Sequence, residues 1–471
     1  MSLWRYAGNF GVARRAAGGG AMNSSGLRPL DALGDDGEAV GADLPRRPGK
    51  ALVWTLCLGV ALYIGIFLLA VSQGFVGRPY SDAYDFIAVQ LHAQDVHASI
   101  AYLWTPHNGH HPVWMRLATA VDIGFFRGRN IVIASSAAVA ILLTAALLAR
   151  GLYSSIANKT LASVAAAASV LCLLLSINAV DAAQPINAVY AFAMPFVVGA
   201  ILIYEADAPG VLQVVLAAAC VFGACLGNNI GLAVLPALIL SACRRQGRPQ
   251  LTGLSVAAVA IAVAMLWSGA GPGARGGAGP SIGQAARYFV TFCGLPWTGG
   301  RAPIAGSAVL GAAVFSVAGF LIFRRLREAR PLAQAERIAF DLIVFSLASA
   351  AMASFGRSNG VDGGLIPVRY ALFMAPLHIG VLTLILLRLG RWAAARPGQV
   401  LAFTVAALAA VMVQQVLGAV LVVREGARIA RTLDDFDRGQ RSGIMTSIVY
   451  PDLARAAAMD RALKVRGLYQ P

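Results

Sequence analysis

Charge is scarce in this sequence. Only 13% of its 471 residues are Asp, Glu, Lys or Arg, against roughly 25% in soluble chains, which argues against a water-soluble globular enzyme. Cysteine is scarce too. Of the six, Cys57, Cys172, Cys220 and Cys243 lie inside apolar runs and read as small apolar fillers, not as a disulfide framework. Acidic residues are few enough to leave a formal charge of +16. No Lys/Arg block is interleaved with aromatics, so a nucleic-acid partner is not expected. The arginines instead stand at the ends of apolar segments, which is how membrane topology is written. The first 50 residues have no apolar core and do not form a signal peptide.

What is present is hydrocarbon: 58% of residues are hydrophobic and the mean hydropathy is +0.69. Apolar stretches of about 17–24 residues, the length that crosses roughly 30 Å of lipid, fall near 51–72, 131–149, 160–177, 189–204, 211–226, 229–243, 250–268, 305–323, 338–355, 371–387 and 399–422. The expected fold is therefore all-α, a polytopic transmembrane helical protein of about eleven spans. The pair 211–226 and 229–243 is the weakest, because Asn228-Asn229 interrupts it; one span plus a re-entrant segment is the alternative.

Orientation follows from the short loops. With the N-terminus inside, they carry thirteen Lys/Arg on the inner side and five on the outer, so N-in, C-out is favoured. The domain reading is a disordered cytoplasmic arm (1–50), a transmembrane domain (51–422) with a long outer loop (73–130), and an extracytoplasmic tail (423–471). In the arm, Gly18-Gly19-Gly20 and Gly34-Asp35-Asp36-Gly37 suit disorder; Met22 is a candidate start.

Under that topology the informative polar residues gather on the outer side. The first outer loop holds Asp82, Asp85, His92, Asp95, His97, His107, Asn108, His110, His111, Arg116 and Asp122, and it has no Lys and no Glu. The second holds Asn178, Asp181, Gln184 and Asn187. Arg287 and Arg301 follow in a Gly-rich loop, and Arg357, Asn359, Asp362 and Arg369 later. Inner loops are short and bland. Long loops collect polar residues whatever their function, but Asp, His and Arg are the types that do acid–base work or bind anions.

Residues 82–100 have the pattern of a helix lying along the interface. The i, i+3 spacing of Asp82 and Asp85 puts both carboxylates on one face, where mutual repulsion raises one pKa and makes a general base. An N-capping pair is the plainer alternative. His107, His110 and His111, bracketed by Pro106 and Pro112, are open to three readings: a divalent-metal site, contacts to a phosphate or sugar, or loop packing. Arg369 suits phosphate oxygens, with snorkelling to headgroups as its rival.

Taken in order, these segments resemble the GT-C class of membrane glycosyltransferases, which includes the protein mannosyltransferases and the lipid A aminoarabinose transferases. In particular they resemble a set of bacterial membrane proteins sharing D-x-W-D, H-N-E-H-R and S-R-Y segments and a late Tyr-Pro. Here these stand as Asp82-Ala-Tyr-Asp85, His107-Asn-Gly-His110-His111, Gly356-Arg357 through Val368-Arg369-Tyr370, and Tyr450-Pro451. The chain departs at Tyr84 (Trp in the set), Gly109 (Glu) and His111 (Arg). The resemblance implies an inverting hexosyl or pentosyl transferase of the bacterial cytoplasmic (inner) membrane. Its donor would be a polyprenyl-phosphate sugar and its acceptor an extracytoplasmic glycan or lipid. Asp82 and Asp85 would be catalytic and His107, Asn108, His110, Arg357, Asn359 and Arg369 substrate-binding, with metal dependence open. The alternative is a non-enzymatic transporter or translocator of lipid-linked glycans.

Overall fold

The computed structural model describes residues 49–92, 101–107, 109–206, 210–244, 281–298, 304–328, 331–357, 367–390 and 396–468, with Gly253 and Ala260 as isolated positions. The expected arm 1–50, apart from Gly49 and Lys50, therefore lies outside the described residues. So does most of the expected span 250–268.

The described residues form helices and turns, with no strand among them and one isolated β-bridge. The helices are α1 (Lys50–Gly74), α2 (Ala83–His92), α3 (Val113–Phe126), α4 (Ile131–Ser155), α5 (Lys159–Leu173), α6 (Ala188–Tyr204) and α7 (Val211–Cys225). They continue with α8 (Val234–Arg244), α9 (Ile282–Thr298), α10 (Ile304–Leu326), α11 (Gln334–Arg357), α12 (Ala371–Arg388), α13 (Pro397–Asp437) and α14 (Leu453–Val465).

Among the described residues, seven helices are long and apolar enough to cross a membrane: α1, α4, α6 with the turn leading into it, and α10 to α13. At about 1.5 Å per residue, the 25 residues of α1 cover the hydrocarbon core. Several of these helices turn large apolar side chains outward: Trp54 is 73% exposed, Leu58 72%, Val309 72% and Phe403 65%. A surface of that kind is stable against lipid and not against water. The chain is accordingly an all-helical multi-pass membrane protein.

The eleven expected spans resolve unevenly. Seven coincide with these helices. The expected span at 160–177 is a broken one, in which α5 and the segment Ser176–Ala183 meet at 48°. The two at 211–226 and 229–243 are the shorter helices α7 and α8, separated at Asn228-Asn229. The break is pinned: Asn228 caps Ile230 N at 3.0 Å, and Trp114 Nε1 on α3 donates to Gly223 O at 2.7 Å.

A broken span needs its freed backbone groups satisfied inside the protein. Gln415 on α13, fully buried, does this for the α5 break. Its Oε1 accepts from Ser176 N at 2.7 Å, and its Nε2 donates to Leu174 O at 2.8 Å and to Tyr63 O on α1 at 3.3 Å.

The Gly-rich region around Arg287, expected as a loop, contains α9. Its apolar residues Ala285, Tyr288, Phe292 and Leu295 are buried at helical spacing, diluted by Gly294 and Pro296. A Cβ on Gly311 of α10 would stand 1.8 Å from Val290 O, and one on Gly294 2.1 Å from Ser307 O. The two helices thus meet backbone to backbone, as small residues allow in membranes. His378 locks α9 to α12: Trp297 Nε1 donates to its Nδ1 at 3.0 Å, and its Nε2 donates to Cys293 O at 3.0 Å.

Helix α13 runs 41 residues, about 60 Å at 1.5 Å per residue, so it passes residue 422 and carries on well past any hydrocarbon core. From there the chain folds back. Ile429, Leu433, Phe436, Met445, Val449 and Leu463 form a second apolar cluster with Val76, Tyr80, Tyr84 and Ile87. The tail is thereby packed onto the start of the first long loop. Arg78 adds ion pairs to Asp434 at 3.1 Å and Asp437 at 2.7 Å.

Candidate functional site

Residues at one end of the helices carry the site. Asp82 stands just before α2, where Ser81 adopts a positive φ of 53° and Ser81 N donates to Val449 O of the tail at 2.5 Å. The Asp82 main-chain oxygen accepts from Phe86 N at 3.3 Å, which opens the helix. Its side chain receives a hydrogen bond from His107 Nε2 at 3.2 Å.

His107 is held by a tight turn. His107 and His110 exchange backbone hydrogen bonds at 2.8 and 3.0 Å, and Gly109 has φ of 81°, the conformation an Asn-Gly turn supplies without a Cβ penalty. The turn's other face is fixed by Arg116, 2% exposed. Arg116 Nη1 donates to Tyr102 O at 2.7 Å, to Leu103 O at 3.1 Å and to Thr105 O. Arg116 is thus a structural clamp. Asp122 is another: its carboxylate accepts from Asn130 N at 2.6 Å and Val132 N at 2.7 Å, capping α4.

The two acids are engaged by separate partners. Asp85 Oδ1 accepts from Tyr450 Oη at 2.8 Å and from Arg455 Nη2 at 3.1 Å, both from the tail. The Asp82 carboxyl lies below the usual carboxylate range, because the His107 hydrogen bond outweighs the effect of burial and because the charges of His107, Arg369 and His110 act in the same direction. The expectation that the pair raises one pKa is therefore corrected for Asp82. Each acid found its own cation or donor, and opposite charge wins over a like neighbour. Tyr450, by contrast, is pushed up to about 12 by burial and by its bond to Asp85.

Arg369 lies, half-buried, in the short turn leading into α12. Its charge acts on Asp82 and on Asp181, so the acid segment, the histidine turn and this arginine belong to one electrostatic neighbourhood. It borders a cavity of about 210 Å³ lined also by Gln184, Asn187 and Glu425. Of the remaining expected residues, Asn108 and Asn359 lie outside the described residues, as do Asp95, His97, Arg301 and Asp362, and the side chain of Arg357 is not described.

The three histidines do not assemble a metal site. His111 is 1% exposed; its Nδ1 donates to Trp104 O at 2.6 Å and its ring stacks on Trp104. His107 is engaged by Asp82. Among the described residues no three His, Cys, Asp or Glu side chains converge as a cation would need.

The other end of the helices is not bland. Glu205, fully buried, pairs with Arg337 at 2.7 Å and Arg244 at 3.9 Å and accepts from the Ser241 hydroxyl. Asp341 pairs with Arg244 at 2.8 Å, and Arg325 with Glu336 at 2.8 Å. These acids and arginines neutralise one another across α6, α8, α10 and α11, so they tie helix ends together. Sequence reading missed this network because its members come from four helices spread along the chain, α6, α8, α10 and α11.

It also missed what holds Asp85. Tyr450-Pro451 was legible as a motif, but nothing in the linear order joins it to residue 85. Compared with known protein families, curated proteins and solved structures, the chain matches none. The fold and site by themselves define a multi-pass helical membrane protein with an Asp–His–Arg cluster at one end.

Proposed function

We propose that this protein is a GT-C-like glycosyltransferase of the bacterial cytoplasmic membrane, N-in and C-out. It moves one hexosyl or pentosyl unit from a polyprenyl-phosphate donor to an extracytoplasmic glycan or lipid acceptor. The observation that carries the reading is the Asp82–His107 pair lying within electrostatic reach of the half-buried Arg369. A hydrogen-bonded carboxylate and a guanidinium in one neighbourhood are the two charges that this chemistry needs.

In the reaction, Asp82 takes the proton of the acceptor hydroxyl while the hydroxyl oxygen forms a bond to the anomeric carbon. The bond from that carbon to the phosphate oxygen breaks on the opposite face, with inversion, and its electron pair leaves on the phosphate. Arg369 offsets the developing phosphate charge. His107 holds the Asp82 carboxylate in orientation. Asp85, bound by Tyr450 and Arg455, fastens the tail over the acid segment.

Passage of a glycan across the bilayer would need polar side chains opening toward one another within the spans. Among the described residues, Gln415, Gln414 and His378 are turned to other work. Gln415 bonds three backbone groups, Gln414 Nε2 donates to Trp297 O at 3.0 Å, and His378 joins Trp297 and Cys293. This supports chemistry at one surface over translocation.

The test is a glycan-transfer assay with membranes carrying Asp82→Asn, alongside the glycolipid profile of a deletion strain. Loss of the base lowers the rate on the order of 10²–10⁴-fold. Undiminished transfer by Asp82→Asn would sink the mechanism.

A further inference from the structure

The cavity beside Arg369 sits at the broken span, between Gln184 and Asn187 on one wall and Glu425 of α13 on another. Gln184 is 7% exposed and Asn187 5%. Asn187 Nδ2 donates to Gln184 Oε1 at 3.2 Å, which uses one donor and one acceptor of the amide pair. Gln184 Nε2 and Asn187 Oδ1 are left without a partner. Exchanging O and N in both amides reverses the roles and leaves the same balance, one donor beside one acceptor. Arg369 Nε is a further buried donor without a partner. Buried polar groups in this state call for a ligand or water.

The charges on the walls select among ligands. Arg369 disfavours a cation. Glu425 in the same lining disfavours a lone anion. Hydrocarbon would leave the amides unpaired. A hydroxyl both donates and accepts, so neighbouring hydroxyls on a ring match the amide pair in either orientation.

We infer that Gln184 and Asn187, with Arg369 and Glu425, form a subsite for a neutral polyhydroxylated ring of monosaccharide size. The 210 Å³ available lies below the roughly 300–1,000 Å³ of drug-sized sites, which limits the occupant to one ring. The inference rests on the proposed function only in taking that ring to be the sugar of the donor.

The experiment uses the purified full chain in a sugar-free detergent. It measures equilibrium binding of farnesyl phosphate and of the same lipid phosphate bearing glucose, N-acetylglucosamine or arabinose. At least one glycosylated probe is expected to bind about tenfold more tightly than the bare phosphate, the difference one or two hydrogen bonds make. Gln184→Met and Asn187→Leu, close in shape and lacking the amide, are expected to abolish that preference while binding farnesyl phosphate as the wild type does. Each single variant also removes one partner of the Gln184–Asn187 hydrogen bond, so the double variant Gln184→Met/Asn187→Leu, which leaves neither amide unmatched, is expected to lose the preference while folding with undiminished thermal stability.

The subsite is refuted if no glycosylated probe binds more tightly than the bare phosphate, or if both variants keep the preference. Ring preference without any transfer would refute the transferase and leave the subsite standing. Transfer that depends on Asp82 with no ring preference would do the reverse.

Discussion

Asp82 shows how one neighbour sets a residue's chemistry. Its carboxyl lies below the ordinary value of 3.8, first because His107 hydrogen-bonds it and despite burial acting the other way. A depressed folded value means that the pair stabilises the protein above that ordinary pH and that the contribution is lost as pH falls through the lowered value. The expected result in detergent is that wild-type thermal stability declines as pH drops from about 4, while His107→Ala starts lower at neutral pH and is flatter across that window. Parallel curves would show that His107 does not hold the acid. Asp85 illustrates the converse: its partners come from some 365 residues away in sequence.

Elements in this protein are interrupted where polar side chains repair the backbone. The α5 break depends on Gln415, which satisfies Ser176 N, Leu174 O and Tyr63 O, whereas adjacent Gln414 serves one carbonyl, that of Trp297. Each buried group left unmatched costs about 1–3 kcal/mol. Gln415→Leu is therefore expected to destabilise the protein by about 3 kcal/mol or more, and Gln414→Leu by about a third of that, in thermal unfolding of the purified protein. Equal losses would refute the assignment. The break also exposes a signal that was readable but unused. Asn178, Asp181, Gln184 and Asn187 recur at intervals of three, the repeat of a 3₁₀ turn; Asn178 and Asn187 do lie in such turns, Ser176–Ala179 and Pro185–Asn187, while Asp181 lies in the short α-helical turn Val180–Ala183 between them.

At the scale of the molecule, the helix ends divide into two populations. Asp82, His107 and Arg369 lie at one end with the tail folded over them; Glu205, Asp341, Arg325 and Arg337 lie at the other. Single cysteines in a cysteine-free background make this visible. Positions 104 and 441, both at the site end, are expected to react with a membrane-impermeant maleimide from one face of the membrane, and position 324 from the opposite face. Labelling of 104 and 441 from different faces would separate the tail from Asp85 and remove the cover over the site. With N-in topology the reactive pair is external.

Hydropathy by itself determined that this chain is helical and inserts in a membrane, because a span of lipid admits few other solutions and about twenty apolar residues announce each crossing. It also placed most helix positions and flagged Asp82, His107 and Arg369 by residue type. Tertiary structure decided the rest. Whether 160–183 crosses straight or bent depends on Gln415 reaching it from α13, and where α9 packs is set by the close backbone approach of Gly294 to α10 and of Gly311 to α9. The charge state of Asp82 and the holding of Asp85 depend on partners 25 and 365 residues away. Local composition records how a segment partitions between water and lipid; it carries no record of which distant side chain will face it once the helices pack.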